Sequence, residues 1–124
     1  MARKLRKKYS ISDELKERTF SFAISILELV AKLPNTDEAI IVRRQLCKSG
    51  TSVGANLEEA DGSLTLNDFV YRVDVAFKES KETRYWLRVI IARKLLRQSV
   101  VQPHLNESFE LIKILSTIIY RCLK

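Results

Sequence analysis

Three glycines, two prolines and one histidine in 124 residues leave few places where this chain can turn sharply and almost nothing from which to build a histidine-based active site. Breakers this sparse, in a sequence rich in Leu, Ile, Ala, Glu, Lys and Arg, favour long helices joined by short loops, and no run alternates as a strand would. No apolar run approaches the ~18 residues of a membrane-spanning helix. The basic start, Arg3 to Lys8, leads into the polar Ser12-Asp13-Glu14-Leu15-Lys16-Glu17-Arg18 and does not read as a secretory signal. Two cysteines, Cys47 and Cys122, without CxxC spacing, read as reduced core thiols of a cytosolic protein.

The chain does hold apolar residues (46%) and an unevenly placed net charge of +7. A chain of this length buries roughly two-thirds of its unfolded surface, enough for one domain. We divide it into a basic N-terminal arm, 1–11, and a single bundle domain, 12–124. Arg3, Lys4, Arg6, Lys7 and Lys8 precede the first acid, so the arm is a candidate for nucleic acid, with Tyr9 as a stacking ring. Its plain alternative is a solubilising tail.

The pattern predicts four helices. The first starts near Ser12, whose hydroxyl caps it ahead of Asp13 and Glu14, and stops before Pro34; its seam is Leu15, Thr19, Phe22, Ile26, Leu29 and Leu33. The second runs from Thr36 to about Ala60 with Leu46, Gly50, Val53 and Leu57 inside. The third runs from about Asn67 to about Arg97. The fourth begins at Pro103, suited to a first helical position, with a stripe of Leu105, Phe109, Ile112, Ser116 and Ile119. Short connections imply antiparallel neighbours, hence an all-α, up-down-up-down four-helix bundle.

Glycine inside an exposed helix costs about 1 kcal/mol relative to alanine, so Gly50 and Gly54, one turn apart, need a reason. Gly50, Val53, Gly54 and Ala55 are therefore assigned to a close crossing with a neighbouring helix. The third helix has one seam at Phe69, Val73, Ala76, Ser80, Thr83, Leu87 and Ile90 and a second, on the other side, through Tyr71, Val75, Tyr85, Val89 and Leu96 beside Trp86. One core cannot bury both, and Tyr71, Val75, Tyr85, Trp86, Val89 and Leu96 are the expected self-association surface. The alternative is that the fourth helix wraps farther round.

Lys81, Arg84 and Arg88 fall within about 60° of one another on the same helix and form a cationic stripe that could track phosphates, the alternative being a solvated or salt-bridged face with Glu82 and Asp74 nearby. Asn56, Glu59, Glu79 and Glu82 are candidates for a buried polar network fixing helix register. A di-metal centre in a bundle needs paired Glu-x-x-His motifs, and His104 is the sole histidine, so neither metal nor cofactor is expected. Ser49, Thr51 and Ser52 have no histidine within sequence range and no preceding strand for a phosphate loop. Arg97 and His104 have a spacing similar to the Arg-x(4 to 6)-His pattern of HEPN ribonucleases, a remote enzymatic alternative in which the arginine steadies phosphate charge and the histidine moves protons.

Two blocks, Arg44-Gln45-Leu46 through Gly50-Thr51-Ser52-Val53-Gly54-Ala55-Asn56-Leu57-Glu58-Glu59-Ala60 and Ala76-Phe77-Lys78-Glu79-Ser80-Lys81-Glu82-Thr83-Arg84-Tyr85-Trp86-Leu87, resemble the bacterial four-helix bundle proteins encoded within intervening sequences of 23S ribosomal RNA genes. The likeness is strong over Phe20 to Leu96 and looser in the fourth helix. It implies an antiparallel bundle, a ring-like homopentamer among characterised relatives and no known enzymatic activity. That family is also similar in fold to the accessory proteins of diversity-generating retroelements, basic pentameric bundles that bind nucleic acid and a reverse transcriptase. The resemblance thus makes RNA or DNA the leading partner, with a reverse transcriptase or other nucleic-acid enzyme as a further one and no membrane. A purely protein–protein scaffold is the competing class.

Overall fold

Local capping chemistry starts three of the four helices. In the computed structural model, which describes residues 9–124, they are α1 (Asp13–Val30), α2 (Asp37–Ala60), α3 (Leu66–Ala92) and α4 (Gln98–Leu123). The hydroxyls of Ser12, Thr36 and Thr65 accept from the backbone N–H of Leu15, Ala39 and Asp68, and acidic residues follow in each first turn. The orphan carbonyls after α1 are met by Arg43, whose guanidinium donates to Val30 O and Leu33 O at 3.4 and 3.0 Å.

Cross-helix pairings fix the directions. Gly50 faces Ile26 and Gly54 faces Thr19, so α1 and α2 run antiparallel. Glu38 pairs with Arg93, Ser49 with Thr83 and Asn56 with Arg72, so α2 and α3 do too. Five residues join α3 to α4, and Arg84 covers Phe109 across that seam. The α1–α4 seam is the sparsest of the bundle and is bridged on its outside by a two-pronged ion pair from Arg18 to Glu107, both prongs 2.7 Å. The expected seam of α1, from Leu15 to Leu33, is buried throughout, as are Leu46, Gly50, Val53 and Leu57 of α2.

Both ends of the α3–α4 connection differ from expectation. α3 stops at Ala92, five residues before Arg97, because Lys94 takes a left-handed φ of 56°. Leu95 N then donates to Ile90 O and Lys94 N to Ile91 O, the paired bonds of a Schellman ending, here built on lysine where glycine is usual. Leu96 therefore lies in the connection and off the α3 face where it was expected. α4 begins at Gln98 and carries Pro103 inside it. The fully buried Val101 draws this turn onto the core, outweighing the helical bond that Pro103 cannot donate. The buried stripe of α4 is Val101, Leu105, Ser108, Leu111 and Leu115; Phe109 and Ser116 are exposed, Ile112 and Ile119 half-buried.

Residues 9–11, placed by sequence in the arm, are attached to the bundle. Ile11 is buried, its N–H donates to Asp61 Oδ1 at 2.9 Å, and Tyr9 O accepts from Gly62 N at 2.9 Å. Arg3, Lys4, Arg6, Lys7 and Lys8 lie outside the described residues.

Candidate functional site

On α3 the core takes Phe69, Val73, Ala76, Ser80, Thr83, Leu87 and Ile90. The expected second face divides. Trp86 and Val89 are half-buried and pack against the core's flank, Val75 is half-buried, and Tyr71 and Tyr85 stand 62% and 55% exposed. Tyr85 is backed by Trp86, ring edge to ring face at 5.0 Å and 84°, which holds the tyrosine upright. Trp86 Nε1 donates to Glu82 Oε1 at 3.4 Å.

The cationic stripe shares this face. Lys81, Tyr85 and Arg88 follow one another at steps of four and three, all exposed, and Arg88 joins Tyr85, Val89 and Ala92 around a shallow depression. Arg84 departs from the stripe: its guanidinium lies 5.1 Å over the Phe109 ring of α4, with Nε buried and without a hydrogen-bond partner. Lys81 lies 5.3 Å over Phe77. Among the described residues none of these three cations meets a carboxylate, so the face is not salt-bridged, while Lys81 and Arg88 are exposed and fit the solvated alternative as well as a phosphate track. Tyr9, expected as a stacking ring for nucleic acid, packs instead against Phe69 at 5.8 Å between ring centres.

The crossing of α1 and α2 is close. A Cβ built on Gly50 would lie 2.8 Å from Ile26 Cγ2, and one on Gly54 would lie 3.1 Å from Thr19 Oγ1 and 3.3 Å from its backbone. Val53 is buried beside them, whereas Ala55 is exposed and stands outside the contact to which it was assigned. Ala55 instead walls an apolar groove of about 300 Å³ along the outside of the α1–α2 pair, with Phe20, Ala23, Ile24 and Leu27 on the opposite side and Lys16 and Glu58 at one end. Phe20, Ile24 and Leu27 are 59%, 42% and 41% exposed. Their spacing of four and three was readable as a second apolar stripe on α1, masked by the stronger seam beside it.

The four polar residues expected to form a network do not meet as one. Asn56 donates to Ser52 O and accepts from Arg72 at 3.2 Å, linking α2 to α3, while Glu59 is exposed. Glu79 is half-buried with Oε2 lacking a partner; burial and then the neighbouring Glu82 push its carboxyl pKa up, against Lys48. The fully buried polar link between helices is Ser49 Oγ with Thr83 Oγ1, at 2.9 Å.

Arg97 is an exposed N-cap residue without a side-chain cap bond, and His104 is half-buried two turns on, its imidazole pKa pushed down by burial and by Lys32 while Glu28 opposes. No hydrogen bond joins the two among the described residues. Cys47 and Cys122 are free and half-buried, less enclosed than core thiols, and burial raises the Cys47 pKa. Among the described residues no group of three His, Cys, Asp or Glu side chains could hold a metal, and no helix is long and apolar enough to cross a membrane.

Residues 12–117 match the 23S rRNA-intervening sequence protein family. The fold is similar to a crystal structure from Bacteroides thetaiotaomicron, a protein with unknown function from the S23 ribosomal protein family, at 33% identity and a TM-score of 0.79 over 85% of this chain and 97% of that one. No curated protein matches.

Proposed function

We propose that this chain, which belongs to the 23S rRNA-intervening sequence protein family, is a non-enzymatic, self-associating bundle that binds RNA or DNA electrostatically. The observation that carries the reading is the clasp at Tyr9 and Ile11: it fastens the residues that directly follow a five-cation run in the sequence to the end of α2. Self-association, for which the exposed apolar groove and Tyr85 provide surface, multiplies the arms and raises affinity without adding sequence preference. Arg84 is engaged by Phe109, and Lys81 and Arg88 flank an exposed tyrosine, so the arm takes the larger share of phosphate contact.

Fluorescence anisotropy of a labelled structured RNA across a salt series tests this. Affinity should fall by roughly 0.7 to 0.9 log units per log unit of salt for each phosphate contacted. Replacing Arg3, Lys4, Arg6, Lys7 and Lys8 by alanine should flatten that slope by several contacts and leave the melting temperature unchanged. No binding at low salt would overturn the nucleic-acid reading and leave a protein–protein scaffold.

A further inference from the structure

Two surfaces on different sides of the bundle are exposed and complementary. The α1–α2 groove is apolar and lined in part by small residues, Ala23, Gly54 and Ala55, and at about 300 Å³ it stands at the lower edge of the size range of ligand-holding clefts, room enough for an aromatic ring. The solvent face of α3 offers the converse: an exposed aromatic ring, Tyr85, braced by Trp86 and flanked by cations, while Tyr71, the other exposed tyrosine of that helix, stands nearly four turns away.

The charges at the two surfaces also match. Glu58, at the end of the groove, is exposed and meets no cation among the described residues; Arg88, one turn from Tyr85, meets no carboxylate. The groove's own cation is already neutralised, because Lys16 lies 2.8 Å from Asp61 and 3.3 Å from Asp13 and so offers little repulsion to an arriving arginine. A groove-to-groove contact would instead set Phe20 and Ile24 against their own copies and leave Glu58 and Arg88 unmatched.

We propose that the α1–α2 groove of one copy receives the α3 face of a second, Tyr85 entering between Ile24 and Ala55 and Arg88 meeting Glu58. The inference rests on the self-association part of the function above and names both of its surfaces. Because the groove and the α3 face are different patches of the chain, the contact is heterologous: each added copy leaves one groove and one α3 face open, and growth stops only when the geometry closes a ring.

Light scattering coupled to size exclusion tests this on the full chain, with Ile24→Glu to spoil the groove and Tyr85→Glu to spoil the insert. Both positions are exposed, and circular dichroism checks that each variant folds. Wild type should elute as a multiple of 14.3 kDa. Each variant alone should be monomeric, its self-association weakened roughly 30-fold or more, as expected at the centre of an interface. Mixed one to one, the variants should form a dimer and nothing larger, since one intact groove meets one intact α3 face. Glu58→Arg and Arg88→Glu should each weaken assembly, and the two changes together in one chain should restore it.

A wild-type monomer at high concentration would overturn self-association and this contact together. An oligomer that survives Tyr85→Glu overturns the contact alone, and loss in Ile24→Glu with no dimer in the mixture points to groove-on-groove pairing instead. If Arg88→Glu leaves the mass unchanged but abolishes RNA binding, the α3 face belongs to nucleic acid and the proposal fails.

Discussion

Gly50 on α2 lies so near Ile26 on α1 that a single added methyl would stand 2.8 Å from Ile26 Cγ2, inside any real carbon–carbon contact. Ile26 is fully buried and has nowhere to retreat. Two effects of Gly50→Ala oppose each other: about 1 kcal/mol gained in helix propensity, and about 1 to 3 kcal/mol lost to overpacking. Overpacking wins. Urea denaturation should show a lower midpoint at unchanged slope, and Gly54→Leu, pressed against the Thr19 backbone, should cost roughly 3 kcal/mol or more. A midpoint equal to or above wild type for both would mean the crossing is looser than described.

The left-handed Lys94 is a residue of the wrong type for its backbone. Lys94→Gly should raise stability by about 0.5 to 1 kcal/mol, because glycine reaches positive φ without the Cβ clash. Lys94→Ala should give none of that gain, since alanine keeps the Cβ. The pair of variants, compared by thermal unfolding, separates conformation from lost charge.

Asp61 holds the N-terminal residues to the bundle through Ile11 N and Lys16 Nζ. In Asp61→Ala the Ile11 amide loses its acceptor, and hydrogen exchange at Ile11 and Gly62 should quicken at least tenfold while amides in the middle of α3 keep their protection. Slow exchange at Ile11 in the variant would show that packing of the Ile11 side chain alone suffices.

Two groups should tilt stability with pH in opposite senses. His104 has its pKa lowered in the fold, so the unfolded chain binds more protons; its contribution is complete above the ordinary value of 6.5 and is lost as pH falls through the lower folded value. Glu79 has its pKa raised, so its contribution is complete below 4.5 and is lost as pH rises through the folded value. His104→Gln should therefore remove a decline in stability below pH 6.5, and Glu79→Gln should stabilise the protein at pH 7. Each effect should stay under about 1 kcal/mol, because both groups are partly solvated. Unfolding free energies measured from pH 4 to 8 would expose a wrong sign directly.

The starts of α1 and α2 were legible because a cap is local: Ser12 and Thr36 need only the amides three residues on. Gly50 and Gly54 likewise announced a close approach by their cost. The end of α3 was hidden because the left-handed position carries lysine, which gives no glycine signal. On α4 the neighbouring pairs Leu111–Ile112 and Ile114–Leu115 let two stripes fit equally, and only packing selects Leu111 and Leu115. Ala55, read from small size as a contact residue, lies one position beyond the glycine that makes the contact, and 100° of helix turn is enough to put it outside. Helical spacing was enough to put Lys81 and Arg88 on one face, but that no carboxylate among the described residues meets them and that Arg84 leaves the stripe for Phe109 emerged only with the bundle around them.

The bond from Ile11 to Asp61 joins positions 50 apart in sequence. With the short turn before Pro34 at the other end, it makes α1 and α2 the two long sides of a frame fastened at both corners. The walls of the apolar groove are therefore tied to each other at both ends, which resists their splaying to suit a guest. What enters must already have the right shape, and little of the attraction is lost to rearranging the host.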